Sequence, residues 1–169
     1  MRTTATGSRV LTESNFAVPL NDRYFEDYQA GAVYEYGYLA VTEQSILDFA
    51  TQFDPQPIHA DPSFAATGPF NGLIASGWHS AGLAMRLFAD HYLSSIASLA
   101  SPGVDEVRWR VPLRPDDSVR LRATTLETRH SRSKTDRGLV VTQLELLNQH
   151  DQSPMSFKAM NIVRCRAGE

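Results

Sequence analysis

Between residues 77 and about 97 the chain carries apolar groups on almost every face of a helix: Ala81, Leu83, Ala84, Met85, Leu87, Phe88, Tyr92 and Leu93. A helix apolar nearly all round must be covered on most sides. His79, Arg86, Asp90 and His91 punctuate it, and it lacks the roughly 18 unbroken apolar residues of a membrane span. Such a helix needs a wrapping of protein, and the rest of the chain supplies one. Val107, Trp109 and Val111 alternate with Arg108 and Arg110, and Val119, Leu121 and Ala123 alternate with Arg120 and Arg122. Residues 138–148 are rich in Leu and Val, while Phe157, Ala159, Asn161 and Val163 alternate with Lys158, Met160 and Ile162. A period of two predicts strands, with turns at 114–117, 130–138 and near 149–154.

Upstream of the long helix the pattern is mixed. Residues 1 to about 18 show no sustained period and are expected to form a loose tail, leaving 19–169 as one domain. Tyr34, Tyr36 and Tyr38 alternate as a half-buried strand over 33–40 requires. Thr42 then caps a helix whose buried face is Ile46, Phe49, Ala50 and Phe53, at i, i+3, i+4 and i+7. Asp54-Pro55 ends it, because a residue before proline is pushed out of the helical region. A loop, PQPIHAD, leads to Asp61-Pro62, which opens a short helix through Ala66. Residues 70–76 form a second loop.

Segregated helices and strands of this kind make an α+β fold. The economical packing is a single domain with a curved antiparallel β-sheet wrapped around the long central helix. One such sheet leaves an edge open, so a homodimer is expected.

Composition narrows the partners. With 42% hydrophobic and 21% charged residues the chain is globular, and a net charge of -3 argues against nucleic acid. Cys165 is alone, and the N-terminal residues lack the apolar core of a secretory signal, so a reducing, cytoplasmic setting is expected. No membrane association is expected.

The polar residues that most need explaining flank the two loops: Asp54, Gln56, His59 and Asp61, then Ser76, Gly77 and His79. Asp54 and His59 sit five residues apart in a segment stiffened by Pro55 and Pro57. A carboxylate beside an imidazole can grip one water and move its protons. A plainer account has Asp54 capping a turn and His59 packing in a loop. A metal site on His59, Asp61 and His79 lacks a zinc-type ligand spacing and a thiolate, so no metal and no cofactor are expected. Ser76 can cap the long helix. The Gly77 amide would then have no intrahelical acceptor and would sit at the positive end of the dipole, suited to an oxygen gaining negative charge. Alternatively, Gly77 only permits a tight loop-to-helix transition.

Asp54-Pro55-Gln56-Pro57-Ile58-His59-Ala60-Asp61-Pro62, with Phe70-Asn71-Gly72-Leu73-Ile74-Ala75-Ser76-Gly77-Trp78-His79, resembles the hydratase-2 signature of MaoC-like dehydratases. That family includes the (R)-specific enoyl-CoA hydratases. The resemblance extends to Tyr24–Tyr28, Val41-Thr42-Glu43 and Ser131–Gly138. It implies a dimeric hot-dog fold, an acyl-CoA tunnel and a metal-free Asp/His pair that holds the catalytic water. Asp54 and His59 fall on the catalytic positions, and Gly77 falls on the position whose amide forms the oxyanion hole. By the same likeness, Ser76, Trp78, Gln56, Phe53 and Ile74 are expected to contact the substrate. In hydration, Asp54 would take a proton from water and His59 would help deliver one to the α-carbon, or the two roles would be exchanged, or Asp54 would serve both steps. Gln56 stands where the signature usually has Asn and Phe53 where it often has a small residue. Ser76 and Trp78 replace the His-Gly-Met type of sequence, which points to an altered acyl pocket.

The implied reaction is syn addition of water to a trans-2-enoyl-CoA, giving a 3-hydroxyacyl thioester. Two rivals are a thioesterase on the same fold, which would need no Asp/His pair of this spacing, and a non-catalytic acyl-thioester-binding protein. Arg129, Arg132, Lys134 and Arg137 crowd one predicted hairpin. They make either a solvated turn or an attraction for CoA phosphates or an acidic acyl carrier protein.

Overall fold

The computed structural model describes residues 9–10 and 16–167. Arg9–Val10 (β1) pairs with Gly37 and Tyr36 of the next strand. Phe16 stacks on Tyr34 at 4.4 Å and lies 3.5 Å under the Arg23 guanidinium. The expected loose tail therefore makes contacts at these points, and its remainder, 1–8 and 11–15, lies outside the described residues.

Val33–Ala40 (β2) forms as the alternation requires, burying Tyr34 and Tyr36. Tyr38 leaves the buried row, because the register shifts between Gly37 and Leu39. Glu43–Phe53 (α1) follows, with the Thr42 hydroxyl accepting from the Ser45 amide at 3.1 Å. Ile46 and Ala50 are fully buried, but Phe53 is 64% exposed and so is not part of the expected apolar face. It stands on the last turn, past the point where the helix meets the core, and touches Phe49.

The segment expected to be a loop contains one helical turn, Pro57–Ala60 (α2). Pro57 at its first position presets the helical φ, and the His59, Ala60 and Asp61 amides bond back to Gln56 and Pro57. Pro62–Ala66 (α3) opens on Asp61, whose carboxylate accepts from the Ser63 and Phe64 amides.

The long helix, Gly77–His91 (α4), stops short of the expected residue 97. Arg23 ends it: the guanidinium donates to the His91 carbonyl (2.9 Å) and the Tyr92 carbonyl (2.7 Å). A cation at the negative end of the helix dipole satisfies carbonyls that have no further turn to bond. Nor is α4 covered all round. Ser80, Ala84, Leu87 and Phe88 are buried, whereas Trp78 and Met85 face outward.

Residues 92–97 form turns, and the next strand, Ser98–Trp109 (β3), starts earlier than the expected 107. Its alternation is hidden by register breaks around Pro102-Gly103 and at Glu106. Arg110 and Val111 fall beyond it. Ser118–His130 (β4), Arg137–Asn148 (β5) and Met155–Arg164 (β6) complete a fully antiparallel sheet of order β1-β2-β4-β5-β6-β3.

The buried face of α4 packs on β2, β4, β5 and β6. Leu87 and Phe88 share one core with Leu121, Val140 and Leu144. Just past α4, the buried Tyr92 hydroxyl bonds the Thr125 hydroxyl (2.6 Å) and accepts from Thr142 (3.0 Å). This fastens the helix end to the two middle strands. The arrangement is the α+β hot-dog fold, with β3 as an open edge. No helix among the described residues is long and apolar enough to cross a membrane.

Candidate active site

Where α1 ends, Asp54 takes the C-cap position, its amide bonded to the Ala50 carbonyl at 2.9 Å. Its carboxylate is held on both oxygens. Oδ1 accepts from Gln56 Nε2 at 2.8 Å, and Oδ2 accepts from the Ser76 hydroxyl at 2.6 Å. Hydrogen bonds donated to a carboxylate favour its charged form. The Ser76 and Gln56 donors, with a smaller contribution from His59, hold Asp54 below the usual carboxylate range.

His59 is buried on α2, one turn beyond. Its Nδ1 lies 2.8 Å from the Ile74 carbonyl. A carbonyl only accepts, so Nδ1 carries a proton, and the neutral form of the ring presents its lone pair at Nε2. That atom lies 3.6 Å from Asp54 Oδ2. The separation exceeds a direct hydrogen bond and suits a single water bonded to both.

Ser76 is the N-cap of α4 and also accepts from the Trp78 amide at 3.2 Å. One hydroxyl thus joins the helix start to the carboxylate. Gly77 is the first helical residue, so its amide has no intrahelical acceptor. A Cβ at this position would lie 2.5 Å from the Trp109 ring, whose Nε1 donates to the Gly77 carbonyl at 2.9 Å. Glycine is required here by that close approach.

These groups meet on a cavity of about 390 Å³. Asp54, Gln56 and His59 line it together with Ile74, Ser76, Gly77 and Trp78. Phe53, expected to contact substrate, is absent from the lining and points to solvent. Its place at the end of α1 is set by the turn that aims Asp54 inward. Sequence reasoning missed Ile58, Phe70, Trp109, Arg110 and Pro112 as lining residues. Ile58 and Phe70 stood within the recognised segments. Trp109 is the last residue of an edge strand and Arg110 follows it, and no local pattern ties them to Gly77.

The remaining polar candidates go elsewhere. His79 is buried against Phe49, ring centroids 5.0 Å apart, and burial pushes its pKa down. Asp61 spends its carboxylate on α3. Among the described residues no three of His, Cys, Asp and Glu gather closely enough to hold a metal ion. The basic hairpin lines a separate cavity of about 450 Å³, with Arg129 paired to Glu127 and Arg137 to Asp136. It joins the sheet where Gly138 pairs with Val163 and Val163 with Ser98, whereas Trp109 pairs with Met155. It therefore lies at the other end of the sheet from Asp54.

The family model described as a MaoC like domain matches residues 28–146, well over half the chain. The protein belongs to the MaoC-like family. A crystal structure of the MaoC-like dehydratase from Rhodospirillum rubrum is 33% identical, with a TM-score of 0.80. The alignment covers 86% of this chain and 99% of that one. The 3-hydroxyacyl-thioester dehydratase Z of Mycobacterium tuberculosis is 30% identical over 111 residues, which is 64% of this chain and 74% of that protein. An (R)-hydratase of Pseudomonas aeruginosa shares the fold, at 21% identity and a TM-score of 0.64, over 86% of this chain and 92% of that one. Hydratase or dehydratase chemistry is the activity this MaoC-like membership carries at family level.

Proposed function

We propose that this MaoC-like protein reversibly adds water to a trans-2-enoyl thioester of coenzyme A, giving the 3-hydroxyacyl thioester. The observation that carries the reading is the 3.6 Å gap between His59 Nε2 and Asp54 Oδ2 on the wall of the cavity. His59 is anchored through Nδ1 and Asp54 through Oδ1 to Gln56; Oδ2 also accepts from Ser76 and keeps a further lone pair, so it and His59 Nε2 can each accept from one water. The water oxygen then faces the cavity with a lone pair free. Its attack on the β-carbon forms the C–O bond as one O–H proton passes to the pair. Electron density moves to the thioester oxygen, where the Gly77 amide is suited to receive it. The same proton, returned to the α-carbon from the same side, completes a syn addition and restores the pair.

This mechanism modifies the expected division of labour. With Nδ1–H committed to the Ile74 carbonyl, His59 in its neutral form has no proton at Nε2 to deliver until it has taken one from water. Asp54, held ionised, begins as an acceptor too. Neither residue is a standing acid, and the proton given to carbon is the water's own.

A homodimer in a reducing, cytoplasmic setting is part of the proposal. The open β3 edge and its exposed Val104 and Trp109 support pairing with a second copy. The thioester carrier is coenzyme A or an acyl carrier protein. The test is an activity scan of purified protein on trans-2-enoyl-CoA and 3-hydroxyacyl-CoA thioesters of graded length. Conversion in both directions, with no free thiol released, is expected. Thiol release without hydration would replace the reading with hydrolysis, and no conversion of any substrate would remove it.

A further inference from the structure

We propose that Trp109 is a positioning residue for this reaction, acting on Asp54 through a chain of donors that runs head to tail across the start of α4. The indole Nε1–H donates to the Gly77 carbonyl at 2.9 Å. That carbonyl and the Trp78 amide are the two ends of one peptide unit. The Trp78 amide donates to Ser76 Oγ at 3.2 Å, and the Ser76 hydroxyl donates to Asp54 Oδ2 at 2.6 Å. Donation into a peptide carbonyl makes its amide a better donor, and a hydroxyl that accepts is in turn a better donor, so bonds aligned this way strengthen one another. The chain ends on the carboxylate oxygen that faces His59.

The arrangement also fixes geometry. The Trp109 ring occupies the space of the missing Gly77 side chain and meets Trp78 edge to face, centroids 5.4 Å apart. It therefore locks the turn that aims Ser76 at Asp54. The edge strand β3 contributes to the reaction without touching the water: it keeps Asp54 ionised and in register with His59. Asp54's titratable or charged neighbours on the cavity are His59 from α2 and Arg110 just beyond β3, and both stay unchanged in the variants below.

The kinetic half of this inference rests on the proposed hydratase activity, and the titration half does not. Side-chain carboxyl carbons of labelled aspartate are followed by NMR across acid pH, with Asp54 assigned from the signal lost in Asp54→Asn. Donation to the charged form lowers a carboxyl pKa, so weakening the chain raises it. Trp109→Phe keeps an aromatic ring at this position and removes the donor. It should raise the Asp54 midpoint, Ser76→Ala should raise it further, and the double variant should match Ser76→Ala. In turnover, Trp109→Phe should lower kcat by roughly three- to tenfold, the scale of one hydrogen bond. KM should stay nearly unchanged, and the acid limb of kcat should move to higher pH. An Asp54 midpoint unmoved by Trp109→Phe, or added shifts in the double variant, overturns the relay whether or not the protein hydrates anything. A shifted midpoint with an unshifted acid limb in an active enzyme overturns its role in the reaction.

Discussion

His59 Nε2 faces Asp54 Oδ2 across 3.6 Å, with the imidazole pinned from behind by the Ile74 carbonyl, the carboxylate pinned at Oδ1 by Gln56, and Oδ2 itself steadied by the Ser76 hydroxyl. The two residues are preorganised by others and not by each other. At 3.6 Å the two make no direct hydrogen bond, and His59 Nε2 with the remaining lone pair of Oδ2 can take a third group. Rigid placement of that kind lets a bound water react without a separate ordering step.

Asp54 ties the site to acid stability. Its carboxyl lies below the usual carboxylate range because Ser76 and Gln56 donate to the charged form. A folded-state pKa below the unfolded one stabilises the protein above the unfolded value, near pH 4, and that stabilisation is lost as pH falls through the folded pKa. Melting temperature measured from about pH 5 down to about pH 3 should therefore fall less steeply in Asp54→Asn than in the wild type. Parallel curves would show that the hydrogen bonds contribute nothing to folding.

Gly77→Ala places a methyl group 2.5 Å from the Trp109 ring. Forcing that overlap should cost about 1–3 kcal/mol. Trp109→Ala should relieve the clash, so the double variant should be more stable than the sum of the single changes allows. Thermal melts of the three proteins check this, and strict additivity would mean that ring and glycine are not in contact.

Trp78 lines the cavity at the second position of α4, with most of its ring accessible. Trp78→Ala should alter which acyl chain lengths are accepted more than it alters turnover of the best one. Specificity constants across a series of enoyl-CoA lengths provide the measurement. An unchanged profile would place the acyl chain elsewhere in the cavity.

The sequence and the structure agree where local chemistry decides and part where distant residues do. The cap at Thr42, the stop at Asp54-Pro55 and the proline-opened turn at Asp61 are local, and each forms as read. The three later strands are legible from the alternation over 119–123 and 157–163 and from the Leu- and Val-rich run over 138–148, whereas the register shift between Thr125 and Glu127 hides the second half of β4. The end of α4 is not local: it depends on Arg23, some seventy residues upstream, whose side chain bonds the last carbonyls. The early half of β3 is masked by Pro102, Gly103 and the positive φ of Glu106, which break its alternation. At the cavity, residue type and spacing single out Asp54, His59, Ser76 and Gly77 but leave a plain capping and packing role open, and the resemblance to the family signature is what marks them as site residues. Trp109 is not singled out, since only the folded sheet edge brings it to Gly77. Phe53 was misplaced because helical periodicity says which face a residue shares, not where the neighbouring core stops.

The shared-water mechanism is tested most directly by kcat and melting temperature measured together on Asp54→Asn, His59→Ala and the double variant. Asp54→Asn keeps size and removes the carboxylate, and His59→Ala removes the second anchor. Each should lower kcat by roughly 10²–10⁴-fold with thioester binding nearly intact. Because both act on one water, the double variant should be little slower than the poorer single. A folded Asp54→Asn protein that hydrates a good enoyl thioester at nearly the wild-type rate would contradict the account.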